Sequence, residues 1–125
     1  MSVVYDAAVL VAAARDDRAT WADHRVRLEL GELATTTAPV VAQVSRPSRQ
    51  AQLRRFLRGC ALVAFFPDHA RAVGALLGRA GTSDVVDAHL VIIAATTSST
   101  VLTSDIDDLQ LLSGQLPAPV LLRPV

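Results

Sequence analysis

The sequence predicts an α/β domain, a mainly parallel sheet of four or five strands flanked by helices. Three observations carry this. Short aliphatic and β-branched runs at 2–5 (SVVY), 60–66 (CALVAFF) and 100–103 (TVLT) alternate with longer runs of helical character. The run 85–95 is almost wholly apolar, a helix packed inside the domain rather than lying on it. Aspartates recur directly after strand-like runs, Asp6 after the first and Asp105 after the late TVLT run, where open parallel sheets bind their ligands.

The elements read in order as follows. Residues 2–5 form a short buried strand ended by Asp6, and AAVLVAAAR continues as a helix up to the polar break Asp16-Asp17-Arg18. Thr20 is the expected cap of a helix over 21–30, closed by Gly31, with Trp21, His24 and Leu28 along one stripe. Thr35–Thr37 suits a short strand, and Pro39 suits the first turn of a helix bearing Val40, Val41, Gln43 and Val44. After the break Ser45-Arg46-Pro47, residues 49–58 form a basic helix with Leu53, Phe56 and Leu57 inward and Gly59 as its stop. The run 60–66 reads as a buried strand ended by Pro67. Asp68 is the expected cap of a helix to Ala80, stopped by Gly81. The apolar helix from Val85, the strand 100–103 and a helix through Leu109, Leu111 and Leu112 follow, and a small strand at 120–122 closes the chain.

At 125 residues the chain is read as one domain, able to bury roughly two-thirds of its unfolded surface. With 51% hydrophobic and only 4% aromatic residues, the core must be built from Ala, Val and Leu. Twelve basic and twelve acidic residues cancel, which argues against a generic polyanion binder, but the charges are segregated. Arg46, Arg49, Arg54, Arg55 and Arg58 fall in one stretch without acids, and Asp84, Asp87, Asp105, Asp107 and Asp108 in another without bases. Lysine is absent. The single cysteine, Cys60, is expected to be a buried structural thiol. The N-terminus lacks a basic leader region, and no apolar run has the length of a membrane span. A cytoplasmic protein is expected.

The acids carry the chemistry. Asp84 and Asp87 share a face near the start of an apolar helix, and an ionised carboxylate there costs several kcal/mol unless it is paired, capped or metal-bound. Asp84 can cap that helix; Asp87, a turn further in, cannot. Asp6 alone could be a cap too, worth a few tenths to about 1 kcal/mol. Together with Asp105 on an adjacent strand and Asp87 on the helix leading into it, Asp6 becomes part of a site. Like charges so close do not all stay ionised without a cation among them. Oxygen donors without His or Cys suit magnesium or manganese. Such ions activate water and stabilise the leaving oxygen of a phosphodiester. Gln43, by itself, reads as an amide at the edge of the core. His89 falls on a different helix face from Asp87 and is read as structural. A phospho-accepting receiver domain needs a lysine, and no GxGxxG or GxxxxGK loop occurs. A DxD-type site is present at Asp105-Ile-Asp107, but the first strand offers an aspartate where that class uses glutamate. A solvated face is the default for the arginine helix, a phosphate-binding one the alternative.

VVYDAAVLVA, SDVVDAHLV and VLTSDIDDL, in that order and spacing, resemble PIN-domain ribonucleases, most closely the VapC toxins of bacterial toxin–antitoxin pairs. The resemblance spans essentially the whole chain. It implies a parallel sheet flanked by helices, usually a homodimer, with magnesium or manganese in an acidic pocket. It further implies cleavage of RNA, blocked by a cognate VapB-type antitoxin. Asp6, Asp87 and Asp105 match the family's catalytic, metal-holding acids, and Asp84 and Asp108 fall where accessory acids occur. At the family's second acid, usually glutamate, this chain has Gln43, which can ligate through its carbonyl oxygen but brings no charge. Either metal affinity falls or Asp84 takes that place. The competing reading is a PIN fold that holds RNA or a protein without cutting.

Overall fold

The computed structural model describes residues 2–48 and 50–125; Arg49 lies outside the described residues. Twelve elements follow in the order β1 (Val3–Tyr5), α1 (Ala7–Ala14), α2 (Arg18–Glu29), β2 (Ala34–Thr37), α3 (Ala38–Val44), α4 (Ala51–Leu57), β3 (Cys60–Val63), α5 (Pro67–Ala80), α6 (Val85–Thr96), β4 (Thr100–Thr103), α7 (Ile106–Ser113) and β5 (Leu122–Pro124). The sheet is parallel throughout, ordered β3-β2-β1-β4-β5. The chain builds outward from β1 through β2 to β3, then crosses back to lay β4 on the other side of β1. Right-handed crossovers travelling in opposite directions place their helices on opposite faces. Accordingly α1 packs on α2, α3 and α4, and α6 packs on α5 and α7. The reversal leaves a crevice at the carboxyl ends of β1 and β4, the usual ligand position in such sheets.

The apolar run that sequence assigns to an interior helix is α6, with Ala88, Leu90, Val91 and Ala94 fully buried. Its neighbours in the core are Val3, Val4 and Tyr5 of β1, Leu10 of α1, Leu76 of α5 and Leu109 and Leu112 of α7.

The structure corrects several expectations. Asp17, not Thr20, caps α2, its carboxylate accepting from the Thr20 N–H (3.0 Å) and hydroxyl (2.7 Å). Asp68 sits in the first turn of α5 rather than at its cap, because Pro67 already occupies the first helical position. The strand expected over 60–66 ends at Val63, and as the sheet's edge it is only half covered, with Leu62 57% exposed. The last strand lies at Leu122–Pro124, not 120–122. On α2 the inward residue is Arg27, whereas Leu28 is exposed.

Candidate active site

Asp6 ends β1 and caps α1, a position that fixes its backbone and turns its carboxylate toward the crevice. One oxygen accepts the Ala7 N–H at 2.7 Å, and the other accepts the Thr103 hydroxyl at 2.6 Å. Thr103, fully buried at the end of β4, also accepts the Asp105 N–H at 2.9 Å. A single hydroxyl therefore joins the two strand ends that carry Asp6 and Asp105. Asp105 occupies the N-cap position of α7 but makes no capping bond, so its carboxylate is not used up by the helix.

The third element is the start of α6. Asp84 is its cap, accepting the Asp87 N–H at 3.0 Å. Asp87, one turn in, is 9% exposed. Burial and the surrounding carboxylates of Asp84, Asp6, Asp105 and Asp108 push its pKa up from 3.8 to about 7. Desolvation is the largest cause, and the four carboxylates add in the same direction.

These groups line one cavity of about 470 Å3, open to solvent, whose wall includes Asp6, Gln43, Asp84, Asp87, Asp105 and Asp108. Every acid singled out from sequence except Asp107 is brought together there. Among the described residues, no arginine and no histidine contributes to the wall. Gln43 departs from its expected place at the core edge: its residue is exposed and faces the acids. No three carboxylates yet stand close enough to enclose an ion among the described residues. The donor set, carboxylate and amide oxygens alone, fits a hard divalent cation in charge and chemistry.

His89 points away from this cavity. It is wholly buried, and its Nε2 lies 3.1 Å from Nδ1 of His69, which already accepts the Phe66 N–H at 3.0 Å. His89 Nε2 must therefore carry the proton and donate. Burial and His69 both hold its pKa below the usual imidazole value, as befits the structural role expected for it. Cys60 is likewise inert, its thiol pushed up to about 12 by burial.

Arg46, Arg54, Arg55 and Arg58 are exposed and lie outside the acid cavity. Arg46 comes nearest in the chain, its guanidinium donating to the Gln43 carbonyl at 2.8 Å and to the Ser45 carbonyl at 2.7 Å. Arg54 and Arg55 stand on the outer face of α4, where Arg55 donates to Gln52 and lies over the Trp21 ring, 5.5 Å from its centroid.

Sequence reasoning missed Thr103 and a buried polar chain behind the sheet. In that chain Arg27 donates to the Tyr5 hydroxyl at 3.2 Å, and the hydroxyl lies 2.9 Å from Nδ1 of His24. The pattern of α2, RATWADHRVRLE, gives no sign that Arg27 rather than Leu28 turns inward.

No protein-family model and no curated protein matches the chain. Its likeness is to solved structures. VapBC2 from Rickettsia felis, bound to a DNA fragment from its promoter, aligns at 16% identity and a TM-score of 0.74, covering 100% of this chain and 99% of that one. VapBC-5 of Mycobacterium tuberculosis, a member of the VapBC family of toxin–antitoxin systems, aligns at 22% identity, TM-score 0.57, covering 99% and 98%. PAE2754 from Pyrobaculum aerophilum aligns at 15% identity, TM-score 0.60, covering 98% and 89%. At these identities the likeness is one of fold, and it extends from end to end: the chain has the PIN-like, VapC-type fold.

Proposed function

We propose that this protein is a VapC-like toxin, a magnesium- or manganese-dependent endoribonuclease that hydrolyses RNA phosphodiester bonds and is neutralised by a cognate VapB-type antitoxin. The observation that carries the reading is the acid cavity at the β1/β4 crevice, with five carboxylates, one amide and, among the described residues, no cationic side chain in its wall. Asp6, Asp87 and Asp105 are the catalytic ligands, and Asp84, Asp108 and Gln43 complete the oxygen set. A bound divalent ion supplies an activated water and charge stabilisation for the leaving oxygen.

The chain's own residues do the rest. The Ala7 N–H and Thr103 hydroxyl hold the Asp6 carboxylate in one orientation. Thr103 fixes the Asp105 backbone to the same point. Asp87 holds a proton near neutral pH while the acids stand alone, and gives it up as positive charge enters. Arg46, Arg54, Arg55 and Arg58 provide exposed basic groups for RNA phosphates. A cytoplasmic homodimer, assembling further with antitoxin, fits the reading.

A second reading, a PIN-fold module that binds RNA or a protein without cutting it, draws on Gln43 standing where a sixth ligating acid would add charge. Incubating purified protein with RNA in manganese separates the two. Cleavage is expected in manganese or magnesium, absent in chelator, and abolished in both Asp87→Asn and Asp105→Asn while the fold persists. Cleavage at the wild-type rate by either variant would remove that residue from the machinery, and no cleavage by wild type would favour the binding module.

A further inference from the structure

Across α1 from the acids lies a second cavity of about 320 Å3, walled by the strands and by α1 and α2. Its apolar lining comes from Ala8, Val9, Ala12 and Leu102. At its polar side stands Arg27, a guanidinium the proposed nuclease chemistry does not use.

Arg27 is an unusual occupant of such a wall. Its residue is 9% exposed. Nη1 donates to the Tyr5 hydroxyl at 3.2 Å, and the cation lies 5.7 Å from the Tyr5 ring centroid. Its only carboxylate partner among the described residues is Asp23, one turn back at 3.2 Å, whose own side chain is 69% exposed. Two of the five guanidinium donors are so used, and the rest meet no protein acceptor among the described residues. A buried cation whose single counter-ion stands in water is half-compensated. The polar network behind it is closed: Tyr5 is held in its neutral phenol form, burial pushing its pKa up to about 12, and His24 is kept neutral by burial and by Arg27.

We infer that this cavity is a binding site for a small organic monoanion, a carboxylate carried on a short apolar body. The carboxylate would take the Arg27 fork bidentately, displacing Asp23 into solvent, and the apolar body would cover the Ala8, Val9, Ala12 and Leu102 floor. The volume sits at the low end of the roughly 300–1,000 Å3 typical of small-molecule sites. An amine-headed ligand would set its charge against a desolvated guanidinium. The acids at the mouth do not reverse that preference. Asp17 is committed to capping α2, and both Asp17 and Asp23 are exposed and screened by water.

The test uses the whole chain and three probes of one shape at fixed ionic strength: 3-phenylpropionate, its amide and 2-phenylethylamine. Calorimetric titration is expected to show saturable binding of the carboxylate at millimolar concentration. The amide should bind about tenfold more weakly, the ratio for a neutral bond replacing a charge-assisted one, and the amine not at all. Asp23→Asn frees the fork and removes a repelling charge at an exposed position, so it should tighten carboxylate binding several-fold. Arg27→Gln should abolish it; should that variant fail to fold, the Asp23→Asn titration decides alone. No saturable binding of the carboxylate, equal binding of the amide, or unchanged affinity in Asp23→Asn would each overturn the assignment. None of these outcomes bears on RNA cleavage, which depends on the other cavity.

Discussion

Tyr5 and Asp6 are neighbours in the chain, yet one faces α2 and α4 and the other the crevice at the sheet's carboxyl end, and their electrostatic surroundings are opposite. Tyr5 enters a closed relay in which the Arg27 guanidinium donates to its hydroxyl and the hydroxyl meets Nδ1 of His24. Asp6 enters a cavity with four further carboxylates and, among the described residues, no cationic wall residue. The first region pairs the Tyr5 hydroxyl with both Arg27 and His24 and so ties α2 to β1. The second gathers carboxylates with no cationic side chain in the cavity wall among the described residues, and the proposed ion site rests on that difference. Burial alone does not distinguish the two; pairing does.

The comparison breaks most visibly at Tyr5. Its aromatic ring is fully buried against Phe56, with centroids 5.4 Å apart, and its hydroxyl serves two partners. Tyr5→Ala should lower stability by about 3–5 kcal/mol, read as a fall in the denaturant midpoint at unchanged slope. A loss under 1 kcal/mol would mean that the relay and the ring packing contribute little.

Asp87 should respond in the opposite sense. Its carboxyl titrates near 7 in the folded chain against 3.8 as its reference value, so between those values the folded state binds more protons than the unfolded. Stability from this group is therefore fully present below about pH 4 and lost as pH rises through 7. In chelator, wild type should be less stable than Asp87→Asn at pH 8 by on the order of 2 kcal/mol, after discounting for solvent screening, and the gap should close at pH 4. Wild type remaining the more stable at pH 8 would show that Asp87 is already paired.

The contrast between the regions also explains what the sequence made legible. An aspartate inside a run as apolar as 85–95 has no bland explanation once Asp84 has taken the cap, so Asp87 stood out. Asp6 and Asp105 followed from strand ends alone. Thr103 did not, because threonine is an ordinary strand residue and its two hydrogen bonds come from β1 and from its own turn. Arg27 was hidden for a related reason: a long aliphatic stem lets arginine take an inward position that pattern reading reserves for Leu28. The exposure of Leu62 on β3 depends on strand order, and hydrophobicity along one strand does not reveal which strand lies at the edge. Gln43 looked like a core-edge amide because α3 is short and flanked by valines. Only its placement at the end of the sheet turns it outward to the acids.

Gln43 gives a smaller effect and a sharper one. Gln43→Glu adds a carboxylate to the cavity at nearly constant volume. Most of the added attraction to a divalent ion is cancelled by desolvation and by repulsion from the other acids. A modest net gain is expected, seen as half-saturation of metal-stimulated RNA cleavage at lower magnesium. Unchanged magnesium dependence with a lower melting temperature would take Gln43 out of the ligand set.

Titration of manganese into chelator-treated protein at pH 8, followed by calorimetry beside the Asp87→Asn variant, tests the central claim most directly. Saturable binding to wild type is predicted, with weaker affinity in the variant and, when the titration is repeated at pH 6, release of a proton from wild type alone. Heats that never saturate, or identical binding curves for the two proteins, would contradict it: the carboxylates would then be an acidic surface and not a metal centre.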